Sequence, residues 1–442
     1  MFSFLMTESA RARRDARNWI EVAEKVWHYR RDELTDPQLR DLQAQTQDLR
    51  QRLKQRDDVS RLKLGMEKLE AVLRTVGGRV YPKTSLTENV EFFLAAAIII
   101  LGVRAYIVQP FKIPTNSMWP SYNGMTHETY EDPANVPNPA VRAVRFLAFG
   151  AMPRSVKAPV AGVVQVPFST RNGLVPYKIV RARKWLVFPA DVREYQLLVG
   201  GEPARVRVPA DFSGFDKIVK EVFFGEQADL AAAINELARA GKARETFISL
   251  GPGAGNPSER VILADVGTAK AAGDAVLAFE ILTGDQLFVD RVSYHFVRPA
   301  VGQGFVFRTG HIKGLSRQVR NSSGGYDFIP EDKYYVKRLV GLPGDRIEIR
   351  EPVLFRNGSP ITGAKAFERN AKKEGKYPGY RNAGMLSEGD VATVPDGVFL
   401  ALGDNSPDSY DGRSWGYVPE GDVIGRPLWI YYPLTRRWGP AR

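Results

Sequence analysis

The 442-residue chain contains no cysteine, which removes thiolate nucleophiles, disulfides and cysteine-based zinc sites together. It leaves the redox compartment open. A serine hydroxyl remains available, but it becomes a nucleophile only beside a base. The four histidines, His28, His127, His295 and His311, lie in no motif, so a Ser-His-Asp arrangement has poor support. A lysine can serve instead if burial lowers its pKa by several units from about 10.4. Three short segments offer candidates. Gln109–Pro120 (QPFKIPTNSMWP) holds Ser117 between prolines in a restrained loop, although most such serines only serve turns. Tyr334–Asp345 (YYVKRLVGLPGD) sets Lys337 in an apolar, aromatic strand that runs into a Gly-Pro-Gly-like turn. A strand lysine reaching solvent is the plainer reading there, yet Tyr335, Val336, Leu339 and Val340 could bury it. Gly403–Gly416 (GDNSPDSYDGRSWG) is dense in turn residues and reads equally as a loop pinned by Asp and Arg.

The elements that must position these segments change character along the chain. Residues 1–88 are polar and helix-prone. Trp19, Val22, Ala23 and Val26 fall at helical spacing, Asp36 followed by Pro37 reads as an N-cap, and Gly77-Gly78 ends the run. Leu39, Leu42, Leu49 and Leu53, then Leu62, Met66, Leu69 and Leu73, recur at heptad-like intervals. A coiled-coil arm and a small hairpin covering its own apolar face both fit, and the hairpin is favoured. Phe2–Met6 is too short for the apolar core of a signal peptide.

The run Phe92–Val103 (FFLAAAIIILGV) is the strongly hydrophobic stretch of the chain. Extended from Val90 to Val108 it reaches the roughly 20 residues a bilayer requires, with Arg104 near one end where it can snorkel. A transmembrane helix is expected at 89–109, with a buried core helix as the alternative. Arg61, Lys63, Lys68, Arg74, Arg79 and Lys83 precede the run, and Lys112 is the main charge after it. The positive-inside rule therefore puts residues 1–88 in the cytoplasm and everything after Val108 outside. The net charge of +12 favours anionic partners, lipid head groups or nucleic acid; no zinc-finger, RRM or helix-turn-helix pattern points to nucleic acid, and much of the basic charge lies just before the hydrophobic run, which fits a membrane surface better.

From Gln109 onward, short Val/Ile/Phe/Tyr runs such as Val160–Phe168, Gln286–Val292 and Tyr334–Val340 alternate with Gly, Pro and Asn, as in a mainly β domain. One helix is expected at about Asp229–Ala240, with Gly241 closing it. The stretch 125–275 carries no legible motif; Ala158–Val164 is a plain β-turn-β.

Together and in this order, the three segments resemble the motifs of type I signal peptidases. Gln109–Pro120 is similar to that family's nucleophile box, Lys337–Asp345 to its lysine box, and Gly403–Gly416 to its Gly-Asp-Asn box. Gly284–Tyr294 (GDQLFVDRVSY) is similar to the family's first catalytic strand. Asn116, Ser406, Gly412 and Arg291 depart from the residues usual at their positions, and about 150 inserted residues separate the Ser117 loop from the Tyr294 strand.

The resemblance implies a mainly β, signal-peptidase-like fold of antiparallel sheets, built from 110–124 and 276–442, with a β-rich α+β insertion at 125–275. It implies Ser117 as nucleophile and Lys337 as base. Ser409 would orient the lysine, and Thr115 with the Ser117 N–H would form the oxyanion hole. Arg338 with Asp404, and Arg413 with Asp411, would support the lysine loop. Phe111, Ile113, Pro114, Met118, Tyr335 and Val336 would line shallow pockets for small side chains. No metal or cofactor is expected. The expected substrates are secretory preproteins with Ala-x-Ala sites, cleaved at the outer face of a bacterial plasma membrane by a single-pass enzyme. The alternatives are a pilin- or conjugation-type processing peptidase, or an inactive relative that binds through 125–275. Any further partner of that insertion or of 1–88 is unknown.

Overall fold

The computed structural model describes residues 7–82, 85–130, 136–184, 188–250, 258–320, 326–330 and 332–441. Phe2–Met6 and Lys83 lie outside the described residues. The chain divides into two compact units, one ending at Gly102 and one beginning at Val103.

The first unit opens with α1 (Glu8–Arg30), α2 (Asp36–Lys54) and α3 (Val59–Val76). Ala16, Val26, Leu42, Leu49, Leu62, Leu69 and Leu73 are buried together, so the leucine repeat closes on its own chain. The motif is three helices rather than a hairpin, because the Trp19 helix packs against both of its successors. At α2 the cap is Thr35, not Asp36. Thr35 and Gln38 form a reciprocal capping box, and Asp36-Pro37 already belongs to the first turn, where an acidic residue and a proline suit the free N–H groups. Gly77 caps α3. The next helix, α4 (Ser85–Tyr106), starts before the expected 89 and stops short of 109, because Val108 already pairs as a strand. Among the described residues it is the one helix long and apolar enough to cross a membrane, and its apolar stretch is not buried against protein.

The second unit contains the insertion first. It adds α5 (Pro139–Phe149), α6 (Phe215–Phe224) and α7 (Leu230–Arg239) to two antiparallel sheets. The larger sheet runs Tyr177–Lys184, Phe188–Val199, Gly162–Ser169, Ser258–Lys270, Ala243–Ser249, with Glu202–Pro209 also on Phe188–Val199. The smaller sets Ala275–Leu282 between Thr126–Thr129 and Met152–Lys157. Tyr195 stacks on Phe215 at 4.0 Å, and Phe279 meets Phe215 edge-on. The α7 helix matches expectation: Asp229 accepts from the N–H groups of Ala231 and Ala232, and Gly241 follows with φ +72°. The turn at Ala158–Val164 does not join a hairpin, since its two flanking strands enter different sheets. The insertion's apolar core continues through Val276–Ile281.

The remaining strands make an eight-stranded sheet in the order Val108–Lys112, Gln286–Asp290, Val423–Tyr432, Gly304–Arg308, Tyr334–Gly341, Val398–Leu402, Val418–Pro419, with Gly439–Pro440 beside Val423–Tyr432. A four-stranded sheet, Ser359–Pro360, Val353–Arg356, Arg346–Arg350 and Ala392–Thr393, follows the turn after Gly341. Ile347, Leu354 and Tyr380 pack there with Phe367 of α8 (Lys365–Lys372). The short α9 (Gly412–Trp415) lies within the Gly403–Gly416 segment.

The insertion leaves and returns at one seam. A Cβ on Gly284 would lie 1.9 Å from the Ile113 carbonyl oxygen and 2.9 Å from the Gly124 carbonyl carbon, so only glycine fits. Beside it, buried Asp285 accepts from the Asn123 N–H and takes a two-pronged grip from Arg437.

Candidate functional site

Ser117 is the middle residue of a single 3₁₀ turn, Asn116–Met118, anchored by Met118, which is completely buried. Its position is set by backbone and amide contacts. The Ser117 carbonyl accepts from the Asn405 N–H at 3.0 Å, and Asn405 Nδ2 donates to the Asn116 carbonyl at 3.0 Å. Asn116, where the family usually has glycine, accepts from the Gly124 N–H and donates to the Met125 carbonyl. It thereby ties the serine turn to the seam. Thr115, just before the turn, is exposed, and Ser117 is half-buried.

Lys337 sits in the middle of strand Tyr334–Gly341, which the Gly304–Arg308 and Val398–Leu402 strands flank. Alternation along the strand puts Tyr335, Lys337 and Leu339 on one face and Val336, Arg338 and Val340 on the other. Lys337 is only 3% exposed, so the solvent-reaching alternative does not hold. Its Nζ donates to Ser409 Oγ at 3.0 Å. Burial pulls its pKa down from 10.5 to about 8; the Asp411 charge opposes this and Arg413 assists it. Gly403 lies between the two halves of the site. A Cβ there would be 2.1 Å from Ser409 Oγ and 2.4 Å from the Ser117 carbonyl oxygen. The serine turn and the lysine's partner thus press on the same glycine.

Two buried ion pairs frame this arrangement. Arg338 donates to both oxygens of Asp404, at 2.7 and 2.5 Å, and to the Gly302 carbonyl. Burial pulls the guanidinium's pKa down, but the Asp404 charge and hydrogen bonds outweigh it and hold it above its ordinary value. Asp411 takes two bonds from the Arg413 guanidinium, one from the Arg413 backbone N–H and one from the Gly403 N–H. Arg413 also donates to Ser406 Oγ at 2.7 Å and to the Ser406 carbonyl, so the departure at Ser406 is absorbed as an acceptor. A lone buried charge would be costly, and each pair is satisfied by further hydrogen bonds.

Of the six expected pocket residues, Phe111, Ile113, Met118 and Val336 share one apolar cluster with Leu287 and Val306. Tyr335 lies on the other face, among Phe307, Leu315 and Trp415. Pro114 is half-buried, its carbonyl accepting from Met125. Ile113 and Met118 are almost wholly covered and act as a floor. The Val398–Leu402 ladder covers Arg338–Gly341 but not Tyr334–Lys337.

Several contributors carried no sequence signal. Ser121 Oγ donates to Asp404, and Asn370 Nδ2 donates to the Asp404 carbonyl. The insertion also reaches both flanks of the site: Asp211 pairs with Lys112 at 2.8 Å, and Lys217 with Asp408, next to Ser409, at 3.3 Å. Those partners are 99 and 191 residues apart in sequence, beyond the reach of any local pattern. Among the described residues no group of three His, Asp or Glu side chains converges as a metal site would.

Comparison with known proteins bears on these residues. A family model described as signal peptidase, peptidase S26, matches residues 278–432, which include Lys337, Asp404, Ser409 and Asp411 but not Ser117. A probable signal peptidase I-1 of Synechocystis is 32% identical over 156 residues, 35% of this chain and 66% of that protein. A signal peptidase I of Leptolyngbya laminosa is 32% identical over 152 residues, 34% of this chain and 62% of the relative. A chloroplastic thylakoidal processing peptidase 1 of Arabidopsis thaliana is 28% identical over 153 residues, 35% of this chain and 38% of that protein. The matched region thus spans less than two thirds of the length of these relatives.

Proposed function

We propose, from its match to the signal peptidase family model and to signal peptidases I at 32% identity, that this chain is a membrane-anchored serine endopeptidase that removes signal peptides from exported preproteins. The observation that carries the reading is Lys337: buried, pulled to about 8, and bonded to Ser409, which packs on the same glycine as the Ser117 carbonyl. A neutral amine there takes the Ser117 hydroxyl proton as Oγ attacks the scissile carbonyl. The tetrahedral oxyanion forms beside the Ser117 N–H and the Thr115 hydroxyl. The first N–H groups of a helical turn find no acceptor within it, which suits the Ser117 N–H to this task. One such donor is worth about 2.7–4 kcal/mol in a transition state. Lys337 then passes its proton to the leaving amine. Water, deprotonated by the same lysine, frees the acyl group and restores Ser117.

The strand edge at Tyr334–Lys337 suits addition of an extended substrate, with its small side chains against Phe111, Val336 and the floor of Ile113 and Met118. We read α4 as the single anchor, with the catalytic unit on the outer face of a bacterial plasma membrane. Confinement in the bilayer raises the effective concentration of a substrate whose own apolar segment lies there. The test is cleavage of a preprotein with an Ala-x-Ala site by detergent-solubilised protein. Wild type should cut after the site, and Ser117→Ala and Lys337→Met should not. Equal cleavage by all three would remove Ser117 and Lys337 from the mechanism. No cleavage of several preproteins by folded wild type would sink the peptidase reading.

A further inference from the structure

Helix α5 presents an apolar face to its surroundings. None of its residues is buried, yet the face formed at i, i+3, i+4 and i+7 by Ala140, Ala143, Val144 and Leu147 carries no polar group. Val144 is 64% and Leu147 71% exposed. An ordinary surface helix turns its charges outward; here Arg145 is turned inward, onto buried Glu280 at 2.8 Å and onto Glu128. The helix is also fixed in place. The Phe146 carbonyl accepts from Tyr432 Oη, and the Ala148 carbonyl from the Leu434 N–H, both at 2.9 Å. Leu434, itself 57% exposed, extends the apolar patch beyond the helix.

We propose that α5 lies in the plane of the membrane interface and docks the catalytic unit onto the lipid surface, an inference that rests on reading α4 as the anchor. Connectivity favours lipid as the occupant. The Val423–Tyr432 strand, whose end holds α5, is separated from Val108–Lys112 by one strand, and Val108 begins two residues after α4 ends. Register sets Tyr432 opposite Gln286, itself opposite Lys112, so α5 is held roughly 10 Å across the sheet and roughly 13 Å along it from Val108, which opens the first strand of the catalytic sheet. Charge agrees. The helix has two arginines, Arg142 exposed, and no acidic residue, the composition of interfacial helices on anionic membranes.

The absence of native cysteine permits a direct test on the full chain. Val144→Cys, Leu147→Cys and, as a control within α4, Ile99→Cys each receive an environment-sensitive fluorophore. The proteins are reconstituted in vesicles of phosphatidylethanolamine and phosphatidylglycerol. The expected result is blue-shifted emission at 144 and 147, quenched more by nitroxides near the top of the acyl chain than by those near its end, with the reverse order at 99. If 99 is quenched from within the bilayer while 144 and 147 respond only to aqueous iodide, the docking is wrong and the anchor stands. Labels at 144 and 147 shielded from iodide and nitroxides alike would mean that protein, such as a second copy of this chain, covers the helix, which also overturns the proposal. No lipid quenching at 99 would remove the anchor, and the docking with it.

Discussion

Lys337 makes opposite demands on activity and stability. Its folded pKa of about 8 lies below the ordinary 10.5, so between those values the unfolded chain holds a proton that the folded one has released. Stability therefore rises with pH across that window, and below about pH 8 the burial costs on the order of 3 kcal/mol. Lys337→Met removes that cost but leaves Ser409 Oγ without its donor, worth about 1 kcal/mol. The variant is expected to be inactive yet about 2 kcal/mol more stable at pH 7 in denaturant melts, with the gain shrinking as pH climbs past 8. Wild-type kcat/KM should rise about tenfold per pH unit and level off near pH 8, as the base becomes neutral. A flat profile through that range, or a destabilised Lys337→Met, would mean that the amine is not held as described.

At the level of elements, the site is a matter of how closely the serine turn and the Gly403–Gly416 loop approach. Gly403 is where they meet, and a methyl group there would overlap both Ser409 Oγ and the Ser117 carbonyl. Overpacking of this kind costs roughly 1–3 kcal/mol, while a shift of about 1 Å in the reacting groups can cost roughly 10²-fold in rate. Gly403→Ala should thus lower kcat by about two orders of magnitude in protein that still melts cooperatively. Near-wild-type turnover would show that the serine turn and Ser409 need not share that point. This contact also marks how far the sequence could be read. The Ser117, Lys337 and Gly403–Gly416 segments were each visible, because a serine between prolines, a lysine in an apolar strand and a dense turn are local patterns. The meeting of the serine turn and Ser409 at one glycine is a packing event across more than two hundred residues and leaves no local trace. The same reason hid Ser121 and Asn370. Helix type was legible from apolar spacing, but the cap at Thr35 was misassigned because Asp36-Pro37 is as good a first turn as it is a cap.

At the scale of the whole molecule, the question is whether the insertion is structural or serves only access to the site. Its two ends meet at the Gly124–Gly284 seam, and its large apolar core, from Val164 to Phe279, is its own. Segments with adjacent ends and separate cores are those a host fold can lose. Among the described residues, its ion pairs with the site loops are Lys112–Asp211 and Lys217–Asp408, whose partners are 35–66% exposed; exposed pairs contribute about 0–1 kcal/mol each. Asp285 and Arg437, which close the seam, stay with the catalytic sheet. Joining Gly124 to Gly284 through a short glycine linker should therefore leave a folded peptidase that cleaves a soluble Ala-x-Ala peptide within severalfold of wild type. The same variant should lose far more on a preprotein embedded in vesicles, because α5 leaves with the insertion. The two assays separate the possibilities. Equal loss on both substrates would make the insertion part of the active site's support, and no loss on either would leave it without a role in catalysis or membrane contact.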